Sequence, residues 1–266
     1  MTSADGSPTD GNPVGGTSAP LLSIAMPCYQ QFAFVEQAVR SVFADPLTAA
    51  QVELIVCDPG STDGSRELLN ELVKEFGSQR LQLSLEPDAG QSDAINRAFA
   101  RARGAVFGWL NSDDCLRPGA LPIVVERLGS LAARGCPAWL YGQAGMIDAS
   151  GRPVTSWIAR YKAWRGRRFS AARLLTENFI PQMSVFWTRA LWDQAGPLRV
   201  EKHLDMDYDL WLRFAAVVPP LVVREELADF RVHAEAKGSQ QTSAQLDAAL
   251  LTAREHARSH GWRGRV

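Results

Sequence analysis

The sequence has few of the features that would tie it to disulfides, membranes or nucleic acids. Its 266 residues include four cysteines, none of which forms a CxxC pair. Such sparse thiols favour buried side chains in a reducing compartment over disulfides or zinc ligands. The formal net charge is −1, so the composition does not indicate a nucleic-acid partner. Because no apolar run approaches the roughly 20 residues of a membrane span, we expect a cytoplasmic protein.

Glycine-rich phosphate-binding loops are also missing. A dinucleotide site usually has G-x-G-x-x-G after the first strand, but the corresponding turn reads PCYQQFAF (27–34). A GxxxxGK[ST] phosphate loop is absent as well. If the chain binds a nucleotide, a carboxylate would have to contact its base or ribose, and a metal ion its diphosphate.

What is present in the first half is an alternation of strand and helix patterns. Short apolar runs predict strands at 21–27, 52–58, 80–87 and 105–111. Amphipathic segments between them predict helices at 34–43, 65–76 and 93–103. This series predicts an α/β fold with a largely parallel central sheet and right-handed crossovers.

The second half predicts fewer regular elements. Segments 138–148 and 152–158 predict a β-hairpin, and later strands are predicted at 183–187 and 221–233. A C-terminal helix is predicted at 243–260. The first 19 residues are rich in Gly, Ser, Thr, Pro and Asp and lack the basic and apolar regions of a signal peptide. They predict a disordered tail.

Polar clusters follow three of the predicted parallel strands. They are PGSTDG after Asp58, EPDAGQSDAIN (86–96) and NSDD (111–114). Each cluster alone is ordinary turn chemistry, but ligands of open parallel sheets bind at the carboxyl ends of strands, so three together indicate a site. The adjacent carboxylates of Asp113 and Asp114 repel each other. They indicate either a solvated turn or a site for a divalent cation.

Four blocks of the first half resemble a known enzyme family. They are SIAMPCYQQFAFVEQAVRSV (23–42), ELIVCDPGSTDGS (53–65), EPDAGQSDAINRAFARARG (86–104) and GWLNSDD (108–114). The later blocks are IPQMSVFWTRALWDQAGPL (180–198), DMDYDLWLRF (205–214) and FRVH (230–233). Together they are similar to the inverting, nucleotide-sugar-dependent glycosyltransferases of family two. The resemblance implies the GT-A fold, a Rossmann-like three-layer α/β fold with a largely parallel central sheet.

For the sugar donor, the resemblance implies contacts from residues that follow the first, second and fourth strands or open a helix. The implied nucleotide contacts are Pro27, Tyr29, Asp58, Gly60, Asp93, Asn111, Ser112 and Asp113. Asn111 stands where the family commonly has an aspartate. The resemblance also implies that Asp113 and Asp114 bind Mn²⁺ or Mg²⁺, with His233 as a further ligand. By residue type alone, a lone histidine is more often an ordinary surface or core residue than a ligand.

For the acceptor, the resemblance implies a catalytic base at the start of a helix. Asp207 matches that position, although Met206 replaces the more usual glutamate, and Asp205 and Asp209 are rival assignments. The alternative for these carboxylates is helix capping, and at a helix N-terminus we expect Asp207 to have a depressed pKa. Contacts to the acceptor or donor sugar are implied for Gln182, Asp205 and Arg231.

The segment 160–173 departs from the overall charge balance. It carries six basic residues among aromatic ones: Arg160, Lys162, Arg165, Arg167, Arg168 and Arg173, with Tyr161, Trp164 and Phe169. The segment indicates either a solvated surface loop or a patch that contacts the acceptor or the inner face of a membrane. Nucleic acid is the weakest interpretation, because no nucleic-acid-binding module surrounds the segment.

The sequence therefore predicts a metal-dependent glycosyltransferase. It would move a sugar from a nucleotide-diphospho-sugar to a hydroxyl of a glycan or lipid-linked acceptor with inversion, in cell-surface, exopolysaccharide or glycan synthesis. We predict one domain at 20–240, with a nucleotide-binding half at 20–115 and an acceptor half at 116–240, and then a C-terminal helix and tail at 241–266. The alternatives are a catalytically silent nucleotide-sugar-binding protein and a nucleotidyltransferase. The sequence leaves the oligomeric state open.

Overall fold

A computed structural model describes residues 19–46, 49–234 and 242–259, and the predicted disordered tail lies almost entirely outside these ranges. The strands are β1 Leu22–Pro27, β2 Val52–Cys57, β3 Leu81–Ser84, β4 Val106–Trp109, β5 Cys115–Leu116, β6 Trp139–Asp148, β7 Val185–Thr188 and β8 Leu221–Val232. The first five helices are α1 Val35–Val42, α2 Ser65–Phe76, α3 Gln91–Arg101, α4 Ala120–Ala133 and α5 Trp157–Gly166. They are followed by α6 Ala171–Leu174, α7 Arg189–Ala195, α8 Met206–Val217 and α9 Thr242–Ser259. None of the helices within the described ranges is long and apolar enough to cross a membrane.

All the strands belong to one mixed sheet in the order β3-β2-β1-β4-β7-β6-β8-β5. The strands β3, β2, β1 and β4 are parallel to one another, which confirms the prediction for the first half. Strand β7 runs antiparallel to both β4 and β6, and β5 runs antiparallel to β8. The order places the carboxyl ends of β2 and β4 on either side of β1, so the polar clusters that follow these two strands can meet.

Alternating side chains of the sheet pack into two separate cores. Along β2, Leu54 and Val56 face the core that contains α1, α2 and α4, whereas Ile55 faces the core that contains α3, α7 and α8. This period of two is what the pleat of a strand imposes. Two helical layers with a sheet between them are the three-layer architecture that the sequence predicts.

The second core is rich in tryptophan and fixes α8 against the sheet. The ring centroids of Trp139 in β6 and Trp211 in α8 lie 6.0 Å apart, and Trp187 in β7 lies 5.9 Å from Trp211. All three side chains are fully buried. Because large aromatic side chains contribute much of the packing energy of a core, this cluster determines where α8 begins.

The predicted hairpin of 138–148 and 152–158 is wrong in its second strand. After β6 the chain makes only an isolated bridge between Ile147 and Pro153, and it then enters α5 at Trp157. The carboxylate of Asp148 accepts hydrogen bonds from the backbone N–H groups of Ser150 and Arg152, which ends the strand in a tight turn. Since 157–166 is helical, the interpretation of 160–173 as a loop is also wrong.

Candidate functional site

Asp58 follows β2 directly and has no solvent-exposed surface. Its Oδ1 accepts hydrogen bonds from the backbone N–H groups of Gly60 at 2.9 Å and Ser61 at 2.7 Å. Gly60 can adopt this turn because its φ of 139° is readily available only to glycine. The other oxygen, Oδ2, receives no hydrogen bond from residues in the described ranges. A buried carboxylate oxygen left in this way is a ready acceptor for a ligand N–H or O–H group.

Cys28 connects the ends of β1, β2 and β4. Its thiol is buried between Asp58 and the hydroxyl of Ser112, which is itself 4% exposed. Burial, followed by the charge of Asp58, raises the pKa of Cys28 to about 12. The thiol is therefore neutral near pH 7 and is not a nucleophile. The polar clusters after β2 and β4, two of the three that the sequence predicts, therefore meet here.

The loop after β1 is fixed to the loop after β2. The backbone N–H of Gln30 donates to Ser61 Oγ at 2.8 Å, and Gln30 has a positive φ of 55°. Pro27 is half-buried at the end of β1, while the side chain of Tyr29 is 60% exposed. An exposed aromatic ring above a rigid loop is suited to stacking on a base.

Asp93 lies in the first turn of α3. Its Oδ2 accepts a hydrogen bond from the backbone N–H of Ala89 at 3.0 Å and lies 3.9 Å from Arg97 Nη1. Asp93 therefore closes the loop that leads into α3 and complements the positive end of the helix. Its predicted contact with the nucleotide stays a prediction.

Asn111 is the centre of a hydrogen-bond network after β4. Its Oδ1 accepts from Trp109 Nε1 and Gln91 Nε2, both at 2.9 Å. Its Nδ2 donates to Gln182 Oε1 at 3.1 Å and to Asp114 Oδ2 at 3.4 Å. An aspartate at position 111 would have no proton to donate and would repel Asp114. The departure from the family pattern is therefore accommodated by the surrounding side chains.

Gln182, which the sequence predicts as a sugar contact, is engaged by the same network. Besides accepting from Asn111, it donates through Nε2 to the backbone carbonyl of Trp109 at 2.7 Å. Its amide is thus fixed at the floor of the site.

Asp114 and Arg231 fasten this turn to β8 from inside the protein. Asp114 has no exposed surface, and its Oδ1 accepts from the backbone N–H of Arg231 at 2.9 Å. Burial, followed by the neighbouring charge of Asp113, raises the pKa of Asp114 well above its ordinary value. The guanidinium of Arg231, a residue only 1% exposed, donates to the carbonyl of Asp113 at 2.7 Å and to Gln37 Oε1 at 2.6 Å. In this arrangement neither side chain faces solvent, so metal ligation by Asp114 or a sugar contact by Arg231 would require rearrangement.

Asp113 and His233 face each other beyond the carboxyl ends of β4 and β8. Asp113 Oδ2 lies 3.1 Å from His233 Nε2, and the two side chains are 18% and 7% exposed. The His233 ring packs on Phe34, with ring centroids 4.6 Å apart. Two adjacent ligands of an octahedral ion, each about 2.1 Å from the metal, are about 3.0 Å apart, so this pair fits a divalent cation. The described part of the chain has no cluster of three or more His, Cys, Asp or Glu side chains for a metal, so other ligands would come from substrate or water.

Asp209 is the best-paired carboxylate at the start of α8. It is fully buried and lies 2.9 Å from both His256 Nε2 in α9 and Arg213 Nε, with Arg199 at 3.3 Å. Burial acts to raise the pKa of Asp209, but the hydrogen bond with His256 and the two arginine charges outweigh it and lower the pKa. Asp209 therefore joins α8 to α9. The sequence does not indicate that His256 contacts Asp209, because the two residues are 47 positions apart.

Asp207 has a different environment two residues earlier. It is half-buried, and its Oδ2 accepts a hydrogen bond from Asn178 Nδ2 at 3.2 Å. Burial raises the pKa of Asp207, against the hydrogen bonds from Tyr208 and Asn178 and the charge of Lys162 in α5. The expected depressed pKa is therefore wrong, because desolvation exceeds the effect of the helix N-terminus. Asn178 and Lys162 were not predicted as neighbours of this carboxylate.

The two residues that precede Asp207 are buried. Met206 is 7% exposed, and its Sδ accepts a hydrogen bond from Ser92 Oγ at 2.8 Å, so it packs against the start of α3. Asp205 precedes the helix, is 4% exposed, and has an Oδ2 that receives no hydrogen bond from the described residues. Asp205 thus remains a rival to Asp207 on chemistry, but it is the less accessible carboxylate.

Solved structures identify the class of fold. The chain superimposes on S. aureus TarS 1–349 in complex with UDP with a TM-score of 0.62, covering 92% of this chain and 75% of that one at 16% identity. It superimposes on the mannosyltransferase PcManGT from Pyrobaculum calidifontis, in complex with GDP-Man and Mn²⁺, with a TM-score of 0.61. That match covers 94% of this chain and 77% of the other at 14% identity. The fold is therefore that of GT-A glycosyltransferases.

Sequence comparison then identifies the family. Residues 23–193 match the model of Glycosyl transferase family 2, and the chain belongs to that family. It is 28% identical over 199 residues to chondroitin synthase of Pasteurella multocida (strain Pm70), a match that covers 74% of this chain. The match covers 19% of that synthase, so the chain spans only a fraction of the length of this relative.

Proposed function

We propose that this chain transfers a sugar from a nucleotide-diphospho-sugar to a hydroxyl of a glycan or lipid-linked acceptor, with inversion at the anomeric carbon. The observation that carries the proposal is the Asp113–His233 pair at the carboxyl edge of the sheet, with Asp58 at the end of the nearby strand β2. A cation-binding pair next to a buried carboxylate suits a ligand that combines a diphosphate with a base. The similarity to chondroitin synthase supports a role in polysaccharide synthesis.

In this proposal the nucleoside lies over the ends of β1 and β2. Asp58 Oδ2, which is buried and accepts no hydrogen bond within the described ranges, would accept one from the base or ribose. Tyr29 would contact the base through its exposed ring, and Ser112 and Asp113 would line the phosphate side. Asn111 would act through its network, which keeps the turn after β4 in one arrangement before the donor binds.

Asp113 and His233 would bind the divalent cation, Mn²⁺ or Mg²⁺. When bound, such an ion offsets the negative charge that grows on the diphosphate as the bond to the sugar breaks. Asp114 would have a separate task, because its buried carboxylate aligns β8 through the N–H of Arg231 and so sets the position of His233.

Asp207 would be the general base. A carboxylate with a raised pKa is a better proton acceptor than an ordinary aspartate, and the hydrogen bond from Asn178 would orient it. The acceptor hydroxyl would lose its proton to Asp207 as its oxygen attacks the anomeric carbon and the nucleoside diphosphate leaves. A single displacement of this kind inverts the configuration and needs no enzyme nucleophile, in keeping with the neutral thiol of Cys28.

A donor screen tests the proposal. The full chain would be heated with UDP-, GDP- and dTDP-sugars, with Mn²⁺ or with EDTA. A donor at about 100 times its Kd stabilises the folded state by about 2.7 kcal/mol. The stabilising donor would then be incubated with glycan and lipid-linked acceptors, and nucleotide release and the anomeric configuration of the product would be measured.

We expect one donor class to raise the melting temperature in Mn²⁺ and a product of inverted configuration. A product of retained configuration would contradict the single displacement, and the absence of stabilisation by all three donor classes would contradict donor binding. Binding without turnover would favour a silent nucleotide-sugar-binding protein, the alternative suggested by Met206 in place of the usual glutamate.

A further inference from the structure

Helix α5 turns its large aromatic side chains toward solvent. Trp157, Tyr161 and Trp164 are 78%, 43% and 63% exposed. Their spacing of four and three residues places them on one face of the helix. A helix on the surface of a globular protein normally buries this kind of side chain against the core, whereas the residues that the structure describes leave this face open.

On the opposite side of α5, Gly166 lies against the body of the protein. A Cβ added at Gly166 would lie 3.7 Å from the side chains of both Tyr141 and Gln143. The carbonyl of Gly166 accepts a hydrogen bond from the Tyr141 hydroxyl at 2.8 Å. The helix therefore contacts the body of the protein at Gly166, and on its aromatic face the Tyr161 hydroxyl donates a hydrogen bond to Glu177 Oε2 at 3.4 Å.

The exposed part of this segment is strongly basic. Residues 157–173 contain six basic side chains and no acidic one. Arg165 pairs with Glu177 at 3.0 Å, and Arg173 donates to backbone carbonyls. In contrast, the exposed side chains of Arg160, Lys162, Arg167 and Arg168 form no ion pair with any carboxylate in the described ranges. This positive charge is available to an anionic partner.

A cavity of about 570 Å³ lies at the C-terminal end of α5. Its lining residues are Gln143, Ala163, Arg167, Arg168, Arg224 and Glu226. Gln143 is only 8% exposed, and its Nε2 donor makes no hydrogen bond to the residues that the structure describes. The one acidic side chain of this lining, Glu226, forms an ion pair with Arg117. The cavity therefore presents several hydrogen-bond donors and positive charge to a phosphate-sized anion.

We propose that the face of α5 formed by Trp157, Tyr161 and Trp164, together with this arginine cavity, docks the protein on an anionic phospholipid bilayer. Tryptophan and tyrosine prefer the headgroup level of a bilayer, because their rings are apolar and their edges polar. The guanidinium groups of Arg167, Arg168 and Arg224 attract anionic headgroups, and the cavity would take a lipid phosphate. This inference goes beyond the proposed transfer reaction and does not depend on it.

Helix α5 carries a residue that acts on Asp207, the proposed catalytic base. Lys162 of the same helix lies close enough to Asp207 to lower its pKa, although burial exceeds that effect. If the proposed function holds, a bilayer against α5 would bring lipid-linked acceptors to the helix whose Lys162 acts electrostatically on Asp207. A nucleic acid would use the same charges, but solvent-exposed tryptophans beside an arginine-lined cavity fit a bilayer interface better.

Vesicle sedimentation of the full chain tests this proposal. Vesicles of phosphatidylcholine alone would be compared with vesicles that contain about one third phosphatidylglycerol, at two salt concentrations. We expect binding to the anionic vesicles that weakens with salt, and little binding to the neutral ones. Brominated phosphatidylcholine in the anionic vesicles should quench tryptophan fluorescence of the unmodified protein.

Two variants separate the aromatic and basic contributions. Trp157→Ala with Trp164→Ala should abolish quenching, and Arg167→Ala with Arg168→Ala and Arg224→Ala should weaken binding by on the order of 100-fold. The matched control changes three exposed arginines on α3 and near α4, Arg101→Ala, Arg127→Ala and Arg134→Ala, and should bind almost normally. Melting temperatures of all variants should stay close to that of the parent.

Several outcomes would overturn the proposal. They are equal recovery with neutral and anionic vesicles, the same loss of binding in the control as in the cavity variant, and no quenching in the unmodified protein. Binding of a soluble anionic oligosaccharide or of RNA through the same residues, without vesicle binding, would assign this surface to a different partner. If the tryptophan variant unfolds, the cavity variant and the quenching experiment still decide.

Discussion

The loops at the carboxyl end of β4 around Asn111 and the surface around α5 both carry clustered polar residues, but they differ in how these residues are paired. In these loops, Asn111 bonds with Trp109, Gln91, Gln182 and Asp114 before any ligand is present. Along α5, most of the exposed basic side chains have no acidic partner among the described residues. The first pattern is typical of a preorganised site, and the second of a surface whose partner is another molecule. Pairing, more than residue type, distinguishes the two regions.

Asp207 lies between the two regions and gives the largest expected effect. Asp207→Asn keeps the shape of the side chain but cannot accept the proton, so we expect transfer to fall by about 10²-fold or more. Donor affinity in the presence of Mn²⁺ should stay within about twofold. In the parent, turnover should fall as the pH decreases through a pKa above the ordinary value of 3.8, because only the ionised carboxylate is a base. Steady-state rates and donor titrations measure these effects.

Asp205→Asn is the control for this assignment. It should change stability by about 1 kcal/mol or less through the helix start, with turnover largely retained. If Asp205→Asn stops transfer while Asp207→Asn does not, Asp205 is the base.

Asp209 tests whether a fully paired carboxylate acts on stability alone. Asp209→Asn would leave Arg213 and His256 without a buried counter-charge, and we expect a loss of about 3 kcal/mol of unfolding free energy. This is larger than the effect of about 1 kcal/mol or less expected of a helix-start carboxylate. Urea unfolding measures it.

The pH dependence of that stability has a definite sign. Since the pKa of Asp209 is lowered on folding, its contribution is present above the pKa of the unfolded state and is lost as the pH falls through the folded pKa. The Asn variant should therefore lose less stability on acidification than the parent. An unchanged acid dependence would show that the buried pairs contribute little.

Asp113 and Asp114 lie in the same turn but differ in exposure. Asp113 is partly accessible, whereas Asp114 is enclosed. Asp113→Asn should weaken metal-dependent donor binding by about 10- to 100-fold with little change in stability. Asp114→Asn should lower the unfolding free energy by about 1–3 kcal/mol, since its amide would face Asn111 Nδ2. Donor titration with Mn²⁺ and with EDTA, together with melting curves, distinguishes the two. If donor affinity is the same in EDTA as in Mn²⁺ for the parent, the metal assignment fails.

Asp58→Asn should have the smallest effect on binding, and this effect should not depend on the metal. Asp58→Asn keeps one oxygen for the N–H groups of Gly60 and Ser61 but replaces the acceptor Oδ2 by a donor. We expect binding of the bare nucleoside diphosphate to weaken by about tenfold, which is about 1.4 kcal/mol, with or without metal. Calorimetric titration measures this change. A loss seen only in the presence of metal would place Asp58 in the metal site instead.

The sequence was sufficient to predict the parallel half of the sheet and the strand ends that carry Asp58 and Asp113. Periodicity reports the faces of strands and helices, and turn residues report where they stop. It could not predict the Asn111–Gln182 or Asp209–His256 contacts, whose partners are 71 and 47 residues apart. Helix α5 was missed because its outward aromatic face departs from the inward apolar stripe that marks most surface helices. The pKa of Asp207 was predicted in the wrong direction, because burial depends on residues such as Asn178 that are distant in sequence.

The distance in sequence between Asp113 and His233 also affects synthesis of the protein. The two residues are 120 positions apart, and a ribosome that adds about 5–20 residues each second needs on the order of ten seconds to bridge that interval. Until residues 185–188 are made, the nascent chain has the strands β1 to β4 but lacks the antiparallel β7 that covers the edge of β4, and the unfinished chain exposes a strand edge that other chains can pair with. The proposed cation-binding pair is completed later still, together with β8, which ends directly before His233.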